Sequence, residues 1–141
     1  MHDHKEIRVV VAESQTQVRF ALRVLLERRH NMRIVGEAAD SNSLLYQIAQ
    51  TNPDLVLLSW YSPGLALDDL PRKVLDARPG VWLIVLSERQ DIGPAALAAG
   101  AQAFVDKGNP PENLLTALDA CSAAFVYQGI CSNRTRRTDQ S

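Results

Sequence analysis

The sequence predicts a single α/β domain, a doubly wound five-stranded parallel sheet with helices on both faces. Three observations carry that prediction. Apolar runs of strand length alternate along the chain with stretches of helical periodicity, five of each, the pattern of parallel strands joined by right-handed crossovers. Two of the runs, Leu55–Leu58 (LVLL) and Val81–Leu86 (VWLIVL), are unbroken, as expected of strands covered on both faces in the middle of such a sheet. The length of 141 residues is enough for one complete core and not comfortably enough for two.

Each element has its own local signal. Ile7–Ala12 (IRVVVA) is β-branched and runs into the polar corner Glu13-Ser14. Val18, Ala21, Leu22 and Leu25 recur at helical spacing, with Arg19, Arg23 and Arg28 on the other face. Met32–Ala38 is a strand of mixed polarity, suited to a place near the sheet edge. Asp40 or Ser41 caps a helix that buries Leu44, Leu45 and Ile48 and stops before Asn52-Pro53, because the residue preceding proline avoids helical geometry.

The Leu55–Leu58 strand then ends at Ser59, ahead of the turn at Ser62-Pro63-Gly64. A helix over Asp69–Ala77 accommodates Pro71 in its first turn, where a missing N–H costs little. The Val81–Leu86 strand ends at Ser87. A short helix from Pro94 to Ala99 closes on Gly100. Ala103–Val105 delivers Asp106-Lys107-Gly108. The final helix takes Asn109 as cap, Pro110 as first residue and Glu112 at its third position, with Leu114, Ala117, Leu118, Cys121 and Phe125 as its buried stripe. Residues 1–6 read as a flexible N-terminus, 7–126 as the domain, and 127–141, with Arg134, Arg136 and Arg137, as a polar C-terminal tail or linker.

Composition narrows the function. A net charge of -1 provides no global field toward nucleic acid or membrane, and no apolar run approaches the roughly 18 residues of a membrane span. The N-terminus lacks the apolar core of a signal peptide, so a cytoplasmic location is expected. Cys121 and Cys131 read as ordinary thiols and His2 and His4 as a polar terminus. In an open α/β sheet the site lies at the carboxyl ends of the strands, which makes Ser59 the residue to explain. Its hydroxyl needs a base to act as a nucleophile, and no His or suitable Asp is evident beside it.

The order and wording of these elements resemble the receiver domains of bacterial two-component response regulators, from about Ile7 to Phe125. VGEAAD, NPDLVLL, AAGAQAFVDKG and PPENLLTAL are most similar to receivers that precede helix-turn-helix output domains in transcription regulators. The resemblance implies the flavodoxin-like strand order 2-1-3-4-5. It places Glu13-Ser14 at the family's acidic pair, Ser59 at the phosphoacceptor aspartate, Ser87 at the switch Thr/Ser, Phe104 at the rotating aromatic and Lys107 at the invariant-type lysine. A serine forms no acyl phosphate, and Ser14 removes a second carboxylate. Glu13, the Tyr61 backbone carbonyl and water remain for magnesium, so no cofactor is expected and Mg²⁺ binding is lost or weak.

The family's pocket carries three carboxylates and one lysine. Here Glu13 and Lys107 sum to zero, which predicts that they pair directly or through water. Phe104 and Lys107, three residues apart, should point to opposite faces of the last strand, with Asp106 on the Phe104 face. Gly93-Pro94, where the fourth helix should begin, and a short Ser87–Lys107 segment point to a remodelled surface. Trp60 and Tyr61 are a possible interface, since aromatics favour contacts. Ser14-Gln15-Thr16 lacks the glycine a flavin phosphate needs for close approach.

The reading is a non-enzymatic pseudo-receiver in a two-component-type pathway that acts by phosphorylation-independent contact with a protein partner. That partner is a component of a histidine kinase pathway or a second copy of the chain. Two alternatives stand beside it. One is the receiver half of a DNA-binding regulator, reaching DNA only through an output domain not present in this chain. The other is a small-ligand sensor using the emptied pocket between Glu13, Ser59 and Lys107.

Overall fold

The computed structural model describes residues 6–107 and 111–140, with side chains described for 6–107 and 112–126. The strands are β1 (Ile7–Ala12), β2 (Met32–Ala38), β3 (Leu55–Ser59), β4 (Trp82–Ser87) and β5 (Ala103–Asp106). Between and after them come α1 (Thr16–Glu27), α2 (Ser41–Thr51), α3 (Leu70–Ala77), α4 (Gly93–Ala99) and α5 (Pro111–Gln140), with a 3-10 turn over Gln90–Ile92 leading into α4. All strand pairs are parallel and their order is β2-β1-β3-β4-β5. The predicted fold class and strand order hold.

Local chemistry sets the element ends. The Asp40 side chain accepts the Ser43 N–H at 2.8 Å and the Ser43 hydroxyl accepts the Asp40 N–H at 3.3 Å, a reciprocal cap at the start of α2. That helix ends on Asn52 at φ 52°, one of the few residue types other than glycine that tolerate the left-handed region. α4 ends on Gly100 at φ 117°, where a Cβ would also come within 2.7 Å of Leu75. The Asn109 cap and Pro110 lie outside the described residues. α5 is described from Pro111, carries Glu112 in its first turn, and runs to Gln140, further than the apolar stripe that predicted it.

β3 is buried at all five positions, and it separates two apolar layers. Val56 and Leu58 face a cluster with Leu44, Ile48, Leu70 and Val74. Leu55 and Leu57 face one with Leu26, Leu114, Leu118 and Cys121. Cys121 is fully buried, and that burial, reinforced by Asp54 and opposed by Arg29, pushes its thiol up to about 12, so it sits in the core as an unreactive apolar group.

The same period-2 alternation decides which residues can meet beyond the strand ends. Counting on from Val9 and Val11, Glu13 falls on the α1/α5 side. Ser59 follows Leu55 and Leu57, and Lys107 follows Val105, on that same side. Ser87 follows Leu83 and Val85, on the opposite side. Because Ala12 is in register with Leu58 and Ser59 with Leu86, the carboxyl ends of the strands are level and the residues after them are neighbours.

Leu58 is fully buried among these layers, so Leu58→Ala should lower stability by about 3 kcal/mol. Urea unfolding would register this as a lower midpoint at unchanged slope; a loss of stability below about 0.3 kcal/mol would contradict the packing described.

Candidate functional site

The site is built around Glu13, a carboxylate with no solvent exposure at the carboxyl end of β1. Its position is fixed by backbone bonds: its N–H donates to Ala38 O at 2.9 Å, and its own carbonyl accepts from Arg19 Nη1 at 2.7 Å. The Glu13 Oε1 accepts from Lys107 Nζ at 2.7 Å and also from the Ser59 hydroxyl. The Oε2 accepts the N–H of Gln15 at 3.0 Å, just ahead of α1, where a helix start favours negative charge. Three donors from three segments of chain therefore converge on one carboxylate.

Burial works against the charged form of Glu13 and is the largest single influence on it. The hydrogen bonds from Lys107, Ser59 and Gln15 N–H and the lysine's charge act the other way. Together they prevail and hold the carboxyl below its ordinary 4.5. Glu13 is accordingly the ionised half of a direct ion pair with Lys107, as the charge count predicted. The sequence reading found no base next to Ser59, and the structure corrects this by placing the Glu13 carboxylate on its hydroxyl. A carboxylate stabilised in its charged form is a weak base, and Ser59 has no solvent exposure, so the contact orders the hydroxyl more than it activates it.

The other predicted residues divide between neighbours and bystanders. Ser87 sits on the opposite face; its Oγ accepts the Arg89 N–H at 3.1 Å, while its carbonyl accepts the Lys107 N–H at 2.9 Å and so helps place the lysine. The Ser14 hydroxyl is buried without a hydrogen-bond partner and takes no part in the Glu13 network. Phe104 is half-buried against the α2/α3 layer, and Asp106 shares its face, accepting from Gln90 Nε2. That arrangement matches the predicted alternation. The two described cavities, about 500 Å³ along the outer edge of β2 and about 640 Å³ between β5 and α5, are lined by neither Glu13, Ser59 nor Lys107.

The proposed contact pair Trp60–Tyr61 needs a correction. Trp60 is only 3% exposed, because it continues the Val56–Leu58 alternation into the α2/α3 layer, with Nε1 donating to Leu67 O at 2.8 Å. It is core, and Tyr61 alone reaches the surface. Tyr61 holds φ at 69°, donates its hydroxyl to Asp68 at 2.6 Å and lies beneath the Arg89 guanidinium at 4.7 Å. Sequence reasoning left Arg89 unmarked and placed Arg19 only on the outer face of α1, whereas its guanidinium reaches the Glu13 carbonyl. Arg89 was within reach of such reasoning: Tyr61 and Arg89 each stand two residues beyond a strand end, on adjacent strands whose ends are offset by one residue, Ser59 pairing with Leu86.

A parallel 2-1-3-4-5 sheet with an ionised pair at its carboxyl edge defines the class of doubly wound α/β domains that work at that edge. The chain belongs to the response regulator receiver domain family, whose sequence profile matches residues 9–119. Among relatives, it is 33% identical over 112 residues to the transcriptional regulatory protein YhcZ of Bacillus subtilis, covering 77% of this chain and 52% of that protein. It is 27% identical to the nitrate/nitrite response regulator protein NarL of Escherichia coli, covering 87% of this chain and 58% of NarL. The chain thus spans little more than half the length of these curated relatives. Among solved structures, a two-component response regulator of the LuxR family from Aurantimonas superposes with a TM-score of 0.77 at 25% identity, covering 93% of this chain and 99% of that one.

With a folded-state value below 4.5, Glu13 contributes stability that is complete above that pH and is lost as pH falls through the folded-state value. The stability gap between the natural protein and Glu13→Gln should therefore be widest at neutral pH and narrow on acidification below about pH 4.5. Urea unfolding of both proteins across that range checks it; a gap independent of pH would contradict the ionised pair.

Proposed function

We propose that this chain is an atypical receiver that signals by protein–protein contact, without phosphoryl transfer and without enzymatic turnover. The observation that carries the reading is the occupation of Glu13. In this family, phosphoryl transfer relies on an aspartate at the end of β3 and a magnesium ion held by carboxylates. Here Ser59 stands at the end of β3, and the acidic residue beside it is already saturated on one oxygen by Lys107 and the Ser59 hydroxyl. Magnesium needs near-octahedral oxygen ligation, usually with one or two carboxylates, and gives up its water reluctantly. One carboxylate bound to an ammonium does not fit that ion. Among the described residues there is no cluster of three or more His, Cys, Asp or Glu suited to any metal.

The same network argues against the emptied-pocket sensor, since the space left by the missing aspartate is taken up by Glu13, Ser59 and Lys107 binding one another. The partner of a receiver that takes no phosphoryl group reads a surface already set in the resting protein. Such a partner is a component of a histidine kinase pathway or a second copy of the chain. Among the described residues no helix is long and apolar enough to cross a membrane.

A second reading is favoured by the partial coverage of the relatives, two of which are transcriptional regulatory proteins of which this chain matches 55% and 52%. In it, the chain is the receiver half of a regulator whose remaining half binds DNA. Reading the coding sequence beyond Ser141 separates the two, since a helix-turn-helix segment there would establish the second.

The direct test of the first reading is an amide NMR titration with Mg²⁺ followed by beryllofluoride, a phosphoryl mimic, with the Ser14→Asp/Ser59→Asp double variant as comparison. The expected result is no shift at Ser59, Ser87 or Lys107 in the natural protein. Saturable shifts that spread to Phe104 would contradict the proposal.

A further inference from the structure

We infer that Arg89 and Tyr61 form a clasp that fixes the β4–α4 segment, and with it α4, in one position independently of any change at Ser59. The starting observation is the backbone of Tyr61. Its φ of 69° lies in the left-handed region, an outlier for a bulky side chain, and such residues persist only where their surroundings over-determine them. Four contacts do so here. The Tyr61 N–H donates to Leu65 O at 2.9 Å, its hydroxyl donates to Asp68 at 2.6 Å, its ring packs on that of Trp60 at 4.7 Å, and the Arg89 guanidinium lies 4.7 Å from its centroid.

Arg89 is the only one of these that comes from another loop. Its guanidinium also pairs locally with Asp91 at 2.9 Å. Its own N–H is bound to Ser87 Oγ, and its carbonyl accepts the N–H of Ile92, so the residue is fixed in both directions along the chain. At the far end of the same segment, Gln90 donates to Asp106 and Gly93 lies under Phe104, where a Cβ would come within 3.1 Å of the ring. Gly93 has an ordinary helical φ of -54°, so what glycine provides there is space for that ring. The segment from Arg89 to Gly93 is thereby strapped between the loop after β3 and strand β5. A cation over an aromatic face contributes about 0.5–1 kcal/mol when exposed, and here it supplies the link to the β3 side.

The inference deepens the proposed function, since it identifies what presets the α4 face in a receiver that takes no phosphoryl group. Its failure is separable from failure of that reading, because the clasp is tested without metal or beryllofluoride. The experiment is amide hydrogen exchange by NMR on the natural protein and on Arg89→Gln, Arg89→Lys and Asp91→Asn. All three substitutions are at exposed positions and leave the core untouched. The clasp predicts roughly two- to fivefold faster exchange at residues 89–93 in Arg89→Gln, near-natural rates in Arg89→Lys, which keeps a cation over the ring, and a smaller change in Asp91→Asn. Unchanged exchange in Arg89→Gln would overturn the inference. So would Asp91→Asn loosening the segment as much as Arg89→Gln, which would assign the restraint to the local ion pair.

Discussion

The buried carboxylate of Glu13 is the constraint on which the carboxyl edge of this sheet depends. A charged group without solvent exposure is costly to keep in a protein, and it persists where donors replace the water it has lost. Glu13 has three, and they come from the start of α1, the end of β3 and the end of β5. The ammonium of Lys107 neutralises the charge, and the Ser59 hydroxyl and Gln15 N–H fill further lone-pair positions. One residue thus ties three of the five strand ends together. Removing any single donor leaves the carboxylate less compensated, while removing Glu13 leaves Lys107 facing a buried hydroxyl.

This arrangement underlies the proposal that the site works without phosphoryl transfer. A pocket of several carboxylates repels itself and needs a divalent cation; a pocket of one carboxylate and one lysine is complete without one. The two serines, at 14 and 59, stand at the positions that change the balance. Ser59 adds its hydroxyl to the same Glu13 oxygen that Lys107 meets at 2.7 Å. Ser14 contributes only by what it is not. In the proposed reading, the edge is satisfied by its own Glu13–Lys107 pair in place of an ion. What a partner could then read lies above it, in the strapped segment between Arg89 and Gly93.

Much of this was legible in the residues. The unbroken runs at β3 and β4 gave the centre of the sheet. Asp40, Asn52-Pro53 and Gly100 gave helix ends through cap chemistry that depends on local backbone geometry alone. The Glu13–Lys107 pair followed from counting charges, and the opposed faces of Phe104 and Lys107 from strand alternation. The same alternation, carried one residue past β3, assigns Trp60 to the core; the general preference of aromatics for interfaces pointed the other way. Contacts between loops were hidden for a different reason. That Arg89 lies over Tyr61 depends on the register of β3 with β4, and that Glu13 reaches Ser59 depends on β1 pairing with β3, and neither register is written in any one stretch of sequence.

The central claim is that Glu13 and Lys107 hold each other where the family would hold a metal. A crystal structure grown in a large excess of Mg²⁺ tests it most directly. The account predicts Lys107 Nζ on Glu13 Oε1 at hydrogen-bond distance, with Ser59 Oγ on the same oxygen and no ion between them. Lys107 turned away and an octahedral Mg²⁺ seated on the Glu13 carboxylate would contradict it.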